Sequence, residues 1–295
     1  MIKVAIYGRE FQPSASPYVS HLFQLLAEKK VEIWIFKEFK HFLMDTFEIG
    51  EGTNEFTSRH DLPQDIRFML SLGGDGTMLA AVSVLRDSNI PITGINLGRL
   101  GFLASINKDK IEEAITALFQ EEYTIQKRTL LSVQAENAEL FNGNSFALND
   151  ITLMKRDSSA MITVKVFLNE ELLNAYWADG VIVATATGST AYSLSCGGPI
   201  ILPGSGNFVI TPVSSHNLNV RPLVISDNDV LNIEIESRSD RYLLSCDSRT
   251  TDLETHVKLK ISKASFTINL IRLKNESFFS TLRRKLLWGL DTRNY

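Results

Sequence analysis

The chain has 295 residues, 44% hydrophobic and 22% charged, and a net charge of −4. That length suits two domains with full cores, and the slight acid excess argues against nucleic acid, whose protein partners carry basic faces. No run approaches the ~18 apolar residues of a membrane-spanning helix. The opening Met1-Ile2-Lys3-Val4-Ala5-Ile6-Tyr7 alternates like a strand and is too short for a secretion signal. Cys196 and Cys246 stand far apart without metal-ligand spacing, which predicts a reduced, cytoplasmic setting.

The first part of the chain alternates strand and helix patterns. Residues 3–7 read as a strand, and 18–30 as a helix with Val19, Leu22, Phe23 and Leu26 at helical spacing. Strands follow over 31–36 and 66–72, then a buried helix over 77–85 and a strand over 90–96. Helices between such strands predict a doubly wound α/β domain over 1–125. Beyond it, strand-like runs cover 130–135, 145–153, 161–168, 180–186, 207–211, 230–236, 241–246, 256–261 and 265–273, separated by turns such as Asn142-Gly143-Asn144. Many short strands predict an all-β, sandwich-like domain over 126–274. Helical spacing returns at 278–288, and a C-terminal helix within about 275–295 is expected to pack back on the α/β domain. Its basic face, Arg283, Arg284 and Lys285, leaves a membrane-surface helix as the alternative.

The 66–72 strand runs into Gly73-Gly74-Asp75-Gly76-Thr77. Glycines free the backbone for close approach by a ligand, and a following helix N-terminus offers N–H groups and partial positive charge to phosphate. Gly73, Gly74, Gly76 and Thr77 are therefore candidate phosphate-binding residues. The loop lacks the Gly-Lys-Ser/Thr of a Walker loop. Asp75 either orients a hydroxyl nucleophile or merely caps the helix. The loop resembles the GGDGT signature of a kinase superfamily that includes NAD kinases and the diacylglycerol and sphingosine kinases, with a related loop in the phosphofructokinases. That resemblance implies phosphoryl transfer and leaves the acceptor open.

A second run, residues 179–199, begins Asp179-Gly180, passes through an apolar strand into Thr185-Ala186-Thr187-Gly188-Ser189-Thr190-Ala191-Tyr192 and stops at Gly197-Gly198-Pro199. Its small hydroxyl residues suit either a flat ligand at the backbone or a bend between packed strands, and Tyr192 either stacks on a base or fills core. The run closely resembles the NAD kinase hallmark, which the lipid kinases lack. Asn96-Leu97-Gly98-Arg99-Leu100-Gly101-Phe102-Leu103, Leu148-Asn149-Asp150, Thr211-Pro212 to His216-Asn217-Leu218, and Arg221-Pro222-Leu223-Val224 resemble further segments of that family in order, over roughly residues 66–250.

The resemblance implies transfer of the γ-phosphoryl group of ATP, or of another phosphoryl donor, to the 2′-hydroxyl of the adenosine ribose of NAD. Asp75 is then the catalytic residue. Gly76, Phe102, Asn149, Asp150, Thr187, Thr190, Ala191, Tyr192, Ser193, Leu194 and Ser195 are expected at NAD, with Asp179 near the nicotinamide. Mg2+ is expected to arrive with the triphosphate, without a dedicated protein cage, and the family implies a homo-oligomer, dimer or tetramer. Departures from the family pattern are Ala186, Trp177, Ser214-Ser215 before His216, and Ser248 after Asp247.

Overall fold

The computed structural model describes residues 1–45, 52–98, 101–156, 160–274 and 276–288. Two units result, one made of residues 1–127 with the chain from Ile268 onward, the other of Arg128–Thr267. The sequence-based division at 125/126 and 274/275 therefore differs at its second boundary. Residues 268–274 belong with the α/β unit because Leu270 pairs with Ile92 of its parallel sheet.

In the first unit, β1 (Lys3–Gly8) is followed by α1 (Ser16–Glu28), β2 (Glu32–Phe36), α2 (Lys37–Met44), β3 (Asn54–Phe56) and β4 (Ile66–Leu72). Next come α3 (Asp75–Leu85), β5 (Ile92–Asn96), β6 (Ile106–Asn107) and α4 (Ile111–Phe119). Pro17 sits in the first turn of α1, where a missing N–H costs nothing. The strands pair in parallel in the order β5-β4-β1-β2-β3. From β1 the order runs outward to β3, then resumes on the other side with β4. The switch lies between β1 and β4, and the glycine-rich loop leaves β4 there, where open α/β sheets bind ligands. Val4, Ile6, Phe68, Leu70 and Leu72 share a core with Val19, Leu22 and Leu26 of α1 and Ile115 and Leu118 of α4. Alternate residues such as Ala5 and Met69 are equally buried, and α3 contacts β1, β4 and β5. Burial on both faces explains the nearly continuous apolar strands.

Thirteen-residue β7 (Tyr123–Ala135) leads from the first unit into the second. There follow β8 (Phe146–Ala147), β9 (Asp150–Lys155), β10 (Ile162–Leu168), β11 (Glu171–Ala178), β12 (Gly180–Thr185), α5 (Tyr192–Ser195) and β13 (Asn207–Val213). Then come β14 (Leu223–Ser226), β15 (Leu231–Glu236), β16 (Arg241–Cys246), β17 (Arg249–Glu254), β18 (Leu259–Leu273) and α6 (Phe278–Leu286). One sheet has the order β14-β13-β12-β9-β16-β17 and is antiparallel throughout. In the other, β10 lies between β11 and β15, and β15 pairs with the start of β18. Ile151, Leu153, Val181, Val183 and Leu244 of the first sheet share a core with Val164, Val166, Ile233 and Leu259 of the second. This is the expected sandwich.

Three sequence-based expectations differ. The strand expected over 145–153 is broken at Leu148-Asn149, whose N–H groups turn to Asp247 instead of a neighbouring strand. The pair expected over 256–261 and 265–273 is the single strand β18. β11, β14 and β17 were not legible as strands, because partly exposed edge strands lack a clean apolar alternation. In α6, Thr281 and Leu282 are buried, which places the helix on the α/β unit to which it belongs.

Phe68 is fully buried and meets the Phe119 ring edge-on at 5.9 Å. Phe68→Ala is expected to destabilise the α/β unit by ~3–5 kcal/mol, read as a lower urea midpoint.

Candidate functional site

In the α/β unit, the site is built around Asp75. It is the first residue of α3, after the N-cap Gly74. Its carboxylate reaches across to the 101–104 segment. Oδ2 accepts the Phe102 N–H at 2.8 Å, and Oδ1 accepts those of Leu103 at 3.0 Å and Ala104 at 2.9 Å. This sets aside the helix-capping alternative. Gly101 is required here because a Cβ would run into the Asp75 carboxylate. Arg99 and Leu100 of the same segment lie outside the described residues. Of the loop glycines only Gly73 takes a positive φ, +149°. The Thr77 N–H is already bonded to the Gly74 carbonyl at 3.1 Å. Among the described residues, the N–H groups of Gly74, Asp75 and Gly76 have no such partner and remain for a ligand.

In the β unit, Asp247 organises the Leu148-Asn149-Asp150 turn. It stands at φ 52° between β16 and β17 and accepts the N–H groups of Leu148 at 2.9 Å, Asn149 at 2.8 Å and Asp150 at 3.2 Å. Asp150 is only 7% exposed. Burial, and then the field of Asp247, pushes its carboxyl up to about 7. Burial pushes Asp247 up as well, but its three N–H bonds and Arg249 pull the other way. Those donors favour the charged form of Asp247, so the first proton of the pair sits on Asp150.

The second glycine-rich run joins this turn. Gly188 packs on the Asn149 backbone so closely that a Cβ would collide with it. The Thr185 hydroxyl donates to the Leu148 carbonyl at 2.6 Å and accepts the Gly188 N–H at 3.0 Å. Most of the run's hydroxyls are engaged in the same way. Ser189 donates to the Ala186 carbonyl, Thr190 to the Thr187 carbonyl, and buried Ser193 pairs with Thr211 at 2.8 Å. The cluster of small polar residues is thus largely a device for closing turns, which local packing does explain. Thr187, Ala191 and Leu194 are half-buried and Ser195 is exposed. Tyr192 is 41% exposed, so it is not core. Its hydroxyl is raised by burial, then by Cys196, with the fields of Asp150 and Asp179 adding. Asp179 forms a 2.6 Å ion pair with Lys155. Trp177 is half exposed with its ring 4.2 Å from that of His216. A cavity of about 470 Å³ in the β unit is lined by residues such as Phe167, Ile233 and Leu259, and one of about 430 Å³ in the α/β unit by residues such as Ser105, Ala114 and Leu273.

Residues 4–123 match the ATP-NAD kinase N-terminal domain, and residues 148–273 match the ATP-NAD kinase C-terminal domain. The chain belongs to the ATP-NAD kinase family. An NAD kinase of Flavobacterium psychrophilum is 44% identical over 99% of this chain and 100% of its own length. One from Bacteroides fragilis is 40% identical over 99% and 100%. Among solved structures, yeast NADH kinase complexed with NADH shares the fold with a TM-score of 0.88 at 23% identity, covering 100% of this chain and 90% of that one. An Archaeoglobus fulgidus NAD kinase in complex with ATP shares it at 0.73 and 23%, covering 97% and 99%.

Asp247, Thr185 and Thr211 escaped the sequence reading of this NAD kinase family member as site residues. For Asp247 the signal was present: an Asp in a hairpin turn, one residue before Ser248. Nothing local distinguished Thr185 or Thr211, whose partners lie 37 and 18 residues away.

The folded carboxyl of Asp150 lies above its ordinary value, so its stability contribution is complete below about pH 4 and is lost as pH rises through about 7. Asp150→Asn should therefore gain stability over the parent chain across that window, by on the order of a few kcal/mol, in urea unfolding at pH 4.5 and 8. Gly188→Ala forces the two turns apart and is expected to cost ~1–3 kcal/mol in the same assay, with loss of NAD binding by calorimetry.

Proposed function

We propose that Asp75 aligns the 2′-hydroxyl of the adenosine ribose of NAD for in-line attack on the γ-phosphoryl group of ATP and accepts its proton as the new P–O bond forms. The overall reaction is that of the family, in which ATP and NAD give ADP and NADP. The observation that carries the reading is the arrangement of the Asp75 carboxylate, held by three N–H groups and facing no other protein donor among the described residues. Phosphoryl transfer through a loose transition state depends mainly on positioning and charge stabilisation, and a carboxylate so restrained suits that role.

Phosphate oxygens fit the N–H groups of Gly74, Asp75 and Gly76 at the start of the 11-residue α3. Gly73 and Thr77 shape that turn, and Phe102 lies beside it. Asn149 and Asp150 hold the adenosine, and Asp150, once protonated, also offers a donor to a ribose oxygen. Thr187, Thr190, Ala191, Tyr192, Leu194 and Ser195 line the dinucleotide, with the exposed Tyr192 ring free to lie against a base. Ser193 contributes by its backbone, since its hydroxyl is tied to Thr211. Asp179 faces the nicotinamide side.

The described residues bring no three His, Cys, Asp or Glu side chains together as a metal cage. Mg2+ carried in by the triphosphate would neutralise phosphate charge beside the N–H groups of Gly74, Asp75 and Gly76. A cytoplasmic setting fits the free Cys196 and Cys246, and no helix among the described residues is long and apolar enough to cross a membrane. A homo-oligomer fits edge strand β14, which exposes Leu223 and Val224.

Asp75→Asn keeps the shape and removes the charge. NADP formation by this variant is expected to fall ~10²–10⁴-fold in kcat. A loss of less than about tenfold would show that Asp75 does not take the proton.

A further inference from the structure

The loop that holds Asp75 is itself held from behind. Arg272, on the part of β18 that belongs to the α/β unit, is only 4% exposed. Its Nη2 donates to the Phe102 carbonyl at 3.0 Å, while its Nη1 is buried without a hydrogen-bond partner. The Phe102 carbonyl and the Leu103 N–H are the two ends of one peptide group. One end receives the guanidinium, and the other donates to Asp75 Oδ1 at 3.0 Å. Cation, peptide dipole and carboxylate therefore stand in series, each polarising the next.

Two further contacts restrain the same segment. The Ser105 hydroxyl donates to Glu276 Oε2 at 2.6 Å, and the Lys285 ammonium stands 5.5 Å from the Phe102 ring centroid. Neither touches the 102–103 peptide. Burial pulls the Arg272 guanidinium down from its ordinary value, against the fields of Glu276 and Asp75, which raise it. Arginine nonetheless stays charged in proteins. A buried cation with one unpaired nitrogen is an expensive way to hold a loop, since an apolar side chain would fill the space without desolvating a charge.

We infer that Arg272 is a positioning residue for phosphoryl transfer, locking the Phe102–Leu103 peptide so that Asp75 presents Oδ2 to the acceptor hydroxyl. An ionised carboxylate has about four acceptor sites, two on each oxygen. Oδ1 spends both on Leu103 and Ala104, whereas Oδ2 spends one on Phe102. One acceptor site on Oδ2 is left for the substrate. Without Arg272 the 102–103 peptide loses its anchor on the carbonyl side, and its rotation would release one acceptor site of Oδ1 and turn a carbonyl oxygen toward the carboxylate. The rotamer of Asp75, and the oxygen that meets the hydroxyl, would no longer be defined. The inference rests on the catalytic reading of Asp75 proposed above.

The test is a set of four full-length variants, Arg272→Gln, Arg272→Lys, Asp75→Asn and the double variant Asp75→Asn/Arg272→Gln. Each is assayed for NADP formation, with kcat referred to the folded fraction from thermal melts. Arg272→Gln is expected to lose ~10–100-fold in kcat, the range of small misplacements at a reacting centre, with the KM values for NAD and ATP within about threefold of the parent. Arg272→Lys, which keeps the charge and one donor but loses the planar fork, should recover part of that loss. In the Asp75→Asn background, Arg272→Gln should cost nothing further, because residues acting through one another are not additive. A lower melting temperature with unchanged kcat per folded molecule, or losses that multiply in the double variant, would overturn the inference. Where Arg272→Gln does not fold, Arg272→Lys decides, and parental kcat in that variant overturns it. Full activity in Asp75→Asn alone instead removes the Asp75 reading and this inference with it, a result distinct from multiplied losses.

Discussion

A carboxylate at the start of a helix, beside a sheet, needs donors, and Asp75 finds them 27–29 residues further along the chain. The bonds to Phe102, Leu103 and Ala104 do two things at once. They satisfy a charge that burial would otherwise penalise, and they fix the 101–104 segment, which has no regular secondary structure, against the end of β4. Gly101 follows from the same constraint, because a larger residue would displace the carboxylate. The role proposed for the α/β unit depends on this one cradle, and the parallel strand order places it at the switch point between β1 and β4.

The β unit solves a similar problem with a second carboxylate. Asp247 gathers three successive N–H groups and so breaks what would have been one strand into β8 and β9. The break presents Asn149 and Asp150 at a turn. It also sets two acids close together in a buried place, which is why Asp150 is pushed up to about 7. A carboxyl protonated near neutral pH can donate as well as accept, which suits the role proposed for Asp150 at the adenosine.

The second glycine-rich run carries fewer free polar groups than its composition suggests. Thr185, Ser189, Thr190 and Ser193 spend their hydroxyls on carbonyls or on Thr211. What they secure is backbone shape: a short turn at 188–190 and then α5, packed against the Asn149 turn through Gly188. Few side chains of the run are left exposed, Tyr192 the most prominent among them.

The sequence by itself determined the two-part architecture, since the shift from mixed 3.6- and 2-residue periodicity to short alternating strands reflects local burial. It also determined the kinase class, because two glycine-rich loops in order, each with its acidic residue, carry that resemblance without any knowledge of contacts. Edge strands such as β17 were lost to it, since a half-exposed polar strand has no periodic signal. Which residues serve which was decided only by the tertiary structure. Asp75 with Leu103, Asp247 with Asn149, and Arg272 with Phe102 are separated by 28, 98 and 170 residues. No local pattern encodes such pairs. They arise because strand order brings distant chain ends together, and because buried polar groups must then find partners where the fold has placed them.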